Sequence, residues 1–162
     1  MAVNRDYNPF ANQDIHVSTA FQEHLRRFSQ TQGADDPGKQ TPEDTPFNRY
    51  IDFWVLGAAL GATEGTFVPL DSSDRHRFIT GQVLQGDLDR IQLLMMIAIA
   101  HEDDPFVVAE PRKVLDIAEG YASGGITALL EMLEYGHLSS LQNLTRGLVR
   151  KLSSGAAVEL AS

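Results

Sequence analysis

A chain of 162 residues is long enough for one domain with a real hydrophobic core. It contains no cysteine, which excludes disulfides, thiolate metal sites and a cysteine nucleophile. The net charge of −9 is carried by residues 1–46 (four basic, seven acidic) and 47–110 (four basic, ten acidic), while residues 111–162 are neutral, so the chain as a whole lacks the basic stripe of a protein that grips nucleic-acid phosphates.

The opening "MAVNRDYNPF" has no charged-then-apolar signal pattern, and a cytoplasmic location is expected. Residues 1–15 read as a polar arm. A first helix is expected from Ser18 or Thr19, where Thr19 and Gln22 form a capping box. Phe21, Leu25 and Phe28 then make a narrow apolar stripe, so this helix docks by one edge. Residues 29–46 carry three prolines, two glycines and no large apolar side chain, the composition of a linker. The expected organisation is an arm with one tethered helix over 1–44, a helical domain over 45–154, and a frayed tail over 155–162.

Thr45-Pro46 predicts an N-cap followed by proline at the first helical position. From there a helix is expected to run to about Ala62, with Phe47, Ile51, Trp54 and Ala58 on one face and Asn48, Arg49 and Asp52 opposite. Beyond Asp52 it is apolar all round, as befits a helix surrounded by protein. The uninterrupted apolar run from Phe53 to Ala62 is half the roughly 20 residues a membrane span needs. No glycine stands in a phosphate-binding pattern. The repeated small residues Gly57, Ala58, Gly61 and Ala62 therefore predict the close approach of another helix, the best candidate being the one that holds Leu93 to Ala100. Gly65 is the expected stop.

Asp71 and Asp74 suggest the start of a helix over Ser72–Leu84, and no strand pattern stands out. The next helix is expected from Asp87 to about Glu102, with a second half, Leu93 to Ala100, that is apolar on every side and makes it the second buried helix. Pro111 opens a short amphipathic helix. Gly124-Gly125 separates it from another over 126–135, which stops at Gly136. The last helix is expected from about Leu138 to Ser153, with Leu141, Leu144, Leu148, Val149 and Leu152 on one side and Arg146 and Arg150 outside. The fold class is all-α, a bundle of about six or seven helices with two buried central ones and a tethered N-terminal helix.

Chemistry is sparse. His101-Glu102-Asp103-Asp104 offers imidazole and carboxylates, but consecutive helical side chains fan out by about 100° and do not converge on a metal. Glu131-x-x-Glu134-x-x-His137 holds one E-x-x-H where a di-iron bundle needs two. Asp74 to Arg77 reads as a salt-bridged surface. There is no nucleophile elbow and no H-E-x-x-H, so no catalytic, metal or cofactor residues are assigned and no cofactor is expected. The interface or pocket candidates are Arg49, Asp52, Trp54, Glu64 and His101. Arg146, Arg150 and Lys151 are candidates for phosphate contact. The reading is a non-catalytic interaction protein or accessory subunit of a larger bacterial assembly, with a protein partner or second copy and no membrane. The alternatives are a nucleic-acid accessory protein using the last helix, and a ligand-binding protein or enzyme built on Arg49, Asp52, Glu64 and His101.

Overall fold

The computed structural model describes residues 6–30 and 41–159. In chain order the elements are β1 (Asp14–Ser18), α1 (Gln22–Phe28), α2 (Tyr50–Glu64), β2 (Arg75–Thr80), α3 (Leu88–Glu102), α4 (Pro111–Glu134) and α5 (Ser140–Glu159), with single 3-10 turns at Thr19–Phe21, Gly81–Leu84 and Pro105–Ala109. The architecture is mostly helical, as expected, but it includes a small antiparallel sheet of β1 and β2.

The centre of the molecule is the contact between α2 and α4. Gly57 and Gly61 do face a close helix, but that helix is α4 rather than α3. A Cβ on Gly61 would collide with the Tyr121 carbonyl, and one on Gly57 would lie 2.6 Å from Ile126 Cγ1. On the other side, a Cβ on Gly125 would strike the Gly57 carbonyl. The residue pairs 57–126 and 61–121 run in opposite senses, so the two helices are antiparallel. This explains why Gly124-Gly125 does not end a helix. Bare backbone lets α4 run unbroken through 24 residues while its glycines admit α2 and the chain after it. Gly65, at φ 67°, closes α2, and the Gly65 and Thr66 N–H groups satisfy the Ala62 and Gly61 carbonyls at 3.4 and 2.9 Å.

Three expectations about helices are corrected by nonlocal contacts. First, α2 begins at Tyr50, because residues around Phe47 run extended beside the end of α1: Phe47 N–H donates to Phe28 O at 3.2 Å and Gln30 N–H to Phe47 O at 2.8 Å. Thr45 donates its hydroxyl to Thr41 O instead of capping a helix. Second, residues 75–80 form a strand, not a helix. Asp71 accepts from the Ser73 N–H within a turn, and Asp74 reaches across to the Ser18 hydroxyl and the Thr19 N–H, joining the entry of β2 to the end of β1. Third, α3 is not the second central helix. Its inner side buries Ile91, Leu94, Ile97 and Ala98, but Met96 is 65% exposed. The second central helix is α4, which buries Leu115, Ala118, Ala122, Ile126, Leu129 and others.

The N-terminal segment is not a tethered element. Phe10, Ile15, Val17, Leu25 and Phe28 all sit in the one core with Phe53, Trp54 and Ile126. Phe28 stacks on Phe53 at 6.3 Å, and Phe47 meets Phe53 edge-on at 5.0 Å. Burying such side chains stabilises by about 1.5–3 kcal/mol each. The expected linker lies partly at residues 31–40, outside the described residues. Among the described residues no helix is long and apolar enough to cross a membrane.

The glycine contact gives a direct test. Gly61→Ala should lower stability by about 1–3 kcal/mol by overpacking a backbone contact. Gly155→Ala, where an added Cβ meets nothing within 4 Å, should hold or slightly raise it. Denaturant midpoints of the two variants check this. Equal midpoints would mean that the α2–α4 approach is looser than described.

Candidate functional site

Arg49 and Asp52 are joined by two residues that the sequence reading did not pair with them. Arg49 Nη2 donates to Asp52 Oδ1 at 2.9 Å and to Asp87 Oδ2 at 3.0 Å. Arg90 lies 2.9 Å from Asp52 Oδ1 and 2.8 Å from Asp87 Oδ1. The four close a square of alternating charge between the first turns of α2 and α3. Asp52 also accepts the Arg49 N–H at 3.2 Å, satisfying a free donor at the start of α2. Burial opposes ionisation of Asp87, but the hydrogen bonds from Arg49 and Arg90 outweigh it and hold the carboxyl below its ordinary range. The stability this adds is present above the ordinary aspartate range and is lost as pH falls below that range through the depressed value of the folded protein. Each carboxylate touches both guanidinium groups, so losing one arginine leaves the other in place. Arg49→Ala and Asp52→Ala should each cost about 0.5–1 kcal/mol, discounted because Arg49 is 42% exposed, and the double variant should cost less than their sum. Thermal or denaturant unfolding of the three variants measures this, and strict additivity would contradict a shared square.

The other pocket candidates do not join this pair. Glu64 ends α2, roughly 20 Å along the helix from Arg49, and pairs with Lys151 of α5. His101 shares a 3.0 Å hydrogen bond with the Tyr121 hydroxyl and meets the Phe67 ring at 4.7 Å, tilted by 36°. Trp54 is wholly inside the core, 6.4 Å from the Phe78 ring. Around His101 the acidic residues diverge: Glu102 pairs with Lys113 at 2.5 Å, Asp103 turns the chain at φ 53°, and Asp104 caps the following 3-10 turn by accepting the Phe106 N–H. Glu134 pairs with Arg27 at 2.9 Å. Among the described residues no group of three or more histidines and carboxylates is placed to hold a metal ion.

The most buried charge among the described residues carries no mark of its burial in the sequence. Glu119, 2% exposed in α4, accepts from Arg112 Nη2 at 2.6 Å, from Arg75 Nη2 at 2.7 Å and from the His16 N–H at 3.0 Å, and lies 3.0 Å from His16 Nδ1. Asp116 receives the same two arginines. Desolvation works against the charge on Arg75, yet the Asp116 hydrogen bond and the field of Glu119 keep it firmly protonated. The cluster binds both strands to α4. Arg112, Asp116 and Glu119 share one helix face by their spacing, a local signal of a charged seam. Their partners at positions 16 and 75 left no such trace. Glu119→Ala takes a buried carboxylate from two half-buried arginines that keep Asp116, leaves the His16 N–H without its acceptor, and should cost about 1–3 kcal/mol. A denaturation curve checks it, and a loss under about 1 kcal/mol would show that water compensates the site.

The last candidates border an open groove of about 340 Å³ between the end of α4 and α5, with Met132, Tyr135 and Leu138 giving apolar walls and Glu131 one carboxylate. Arg146, Arg150 and Lys151 all line it. Lys151 is engaged by Glu64, whereas the Arg146 and Arg150 guanidinium groups have no partner among the described residues. On its outward side α5 exposes Leu141 (38%), Val149 (57%) and Leu152 (74%), while Asn143 and Leu144 are its only buried side chains among the described residues. Here the sequence identified an apolar face correctly, but the molecule covers only its edge.

In comparisons with curated proteins and with solved structures, the chain has no match. The model of one protein family matches residues 38–157, which takes in the α2–α4 contact, the Glu119 seam and nearly all of α5. The chain belongs to the family described as DNA sulphur modification system-associated protein 4.

Proposed function

We propose that this protein is a non-catalytic accessory component of a DNA sulphur modification system, acting in the cytoplasm by docking onto a protein of that system through the outward face of α5. The observation that carries this reading is the uncovered row Leu141, Val149 and Leu152 on a helix that packs on its own molecule by one edge. Contiguous apolar surface of this kind marks a contact surface. The groups that could have supported catalysis are instead tied into pairs: Arg49 with Asp52 and Asp87, Glu119 with Arg75 and Arg112, Glu64 with Lys151. Such pairs fix an arrangement.

A nucleic-acid reading has one observation in its favour, the two arginines of α5 that have no partner among the described residues. Two phosphate contacts on a chain of net charge −9 would give weak, salt-sensitive binding. The ligand-site reading built on Arg49, Asp52, Glu64 and His101 loses support because those residues lie in three separate places.

The test is co-expression of the full chain with the modification proteins of such a system, followed by purification on a tag carried by this chain. The full chain is expected to bring one of those proteins with it. Val149→Ser combined with Leu152→Ser should abolish that association and leave the melting temperature unchanged, since both side chains are more than half exposed. Retention by the double variant would remove α5 as the docking surface. A salt-sensitive mobility shift with DNA and no protein association would favour the alternative.

A further inference from the structure

Resting on that docking reading, we infer that the partner element is an amphipathic helix whose apolar row is edged by aspartate or glutamate. The shape comes first. At about 100° per residue, Leu141, Val149 and Leu152 fall within an arc of about 80°, and they extend for roughly 16 Å along the axis. A long, narrow, straight apolar row is matched by another helix, which meets it with anchors one turn apart.

Charge decides what kind of helix. Ser140 to Gly155 contains three cations, Arg146, Arg150 and Lys151, and no anion. Lys151 is neutralised by Glu64 within the molecule. Arg146 and Arg150 are one turn apart, border the apolar row at its next edge, and face the α4–α5 groove without a partner among the described residues. An antiparallel second copy of α5 would bring arginines against arginines, because this stretch has no carboxylate to offer. Elsewhere in the chain, Arg49, Arg75, Arg90 and Arg112 each hold two carboxylates, a task for which a guanidinium is suited. Two unpaired arginines beside an uncovered apolar row are therefore complementary to carboxylates four residues apart on a partner helix.

The experiment uses the full chain with p-benzoylphenylalanine placed in turn at Val149, at Leu152 and, as a control on another helix, at Met96, co-expressed with the modification proteins. Crosslinks from 149 and 152, absent from 96, are expected to map to one helical segment of one partner with acidic residues beside its apolar row. Arg146→Glu combined with Arg150→Glu should then weaken the purified complex at least about tenfold. Reversing the mapped carboxylates to lysine should restore it. A crosslinked protein segment without carboxylates, or binding indifferent to the arginine reversal, overturns the inference while the docking reading stands. Crosslinks to a second copy of this chain overturn the inference and redirect the docking to self-association. Crosslinks to DNA, or none at either α5 position, overturn both.

Discussion

Helices α2 and α4 approach so closely that on either side of the contact there is room for a hydrogen where other residues carry Cβ. Gly57 and Gly61 meet Gly125, and Gly120 and Gly124 meet Phe67 and Thr66. Five mid-helix or helix-facing glycines of this kind cost on the order of 5 kcal/mol in helix propensity. What offsets that cost is the core gathered around the crossing: Phe53, Trp54, Leu115, Ile126 and Leu129 are all fully buried. Most other elements take their place from this pair. The strands lean on α4 through Glu119, α3 is fastened to α2 through the Arg49–Asp52–Asp87–Arg90 square, and α5 lies on the far end of α4.

The excess of acid in this chain makes its arginines structurally important. Each of the four holds two carboxylates: Arg49 and Arg90 each take one nearby in sequence and one from the other helix, Arg75 reaches from β2 to Asp116 and Glu119, and Arg112 meets the same two carboxylates from within α4. Planar, fixed donors allow one guanidinium to serve two acceptors without losing geometry. The consequence is that every described arginine from α1 to α4 is paired with a carboxylate. Among the described residues the arginines without a partner lie on α5, beside the apolar row, and it is the combination rather than either feature that singles out this face.

An accessory role fits this distribution of order. The body, from β1 to α4, is tied by one continuous core and two charge clusters. The last helix shares little of that core and is held by Leu144, Asn143 and the Glu64–Lys151 pair. Elements with few buried contacts open most easily and are the usual place for surfaces that bind. Membership of a family associated with DNA sulphur modification places the partner among the components of such a system in the proposed reading, and the body supplies a rigid mount for the helix that meets it.

Features set by neighbours in sequence were legible from sequence. The helical character of α2, α3, α4 and α5 follows from apolar periodicity, the stop at Gly65 from its tolerance of positive φ, and the need for a close neighbour at Gly57 and Gly61 from small residues one turn apart. What lay beyond it was decided by groups distant in the chain. Residues 75–80 are a strand because β1, some sixty positions earlier, supplies its hydrogen-bond partners; the same local string with its acidic start also suits a helix. Gly124-Gly125 reads as a break until α2 is placed against it. Glu119 looks like a solvated charge until His16 and Arg75 close over it. Which helix fills the hollow at Gly61, and whether the apolar face of α5 is covered, depend on how separate elements meet. Periodicity specifies which face of a helix seeks contact, but only the packed structure determines what that contact is.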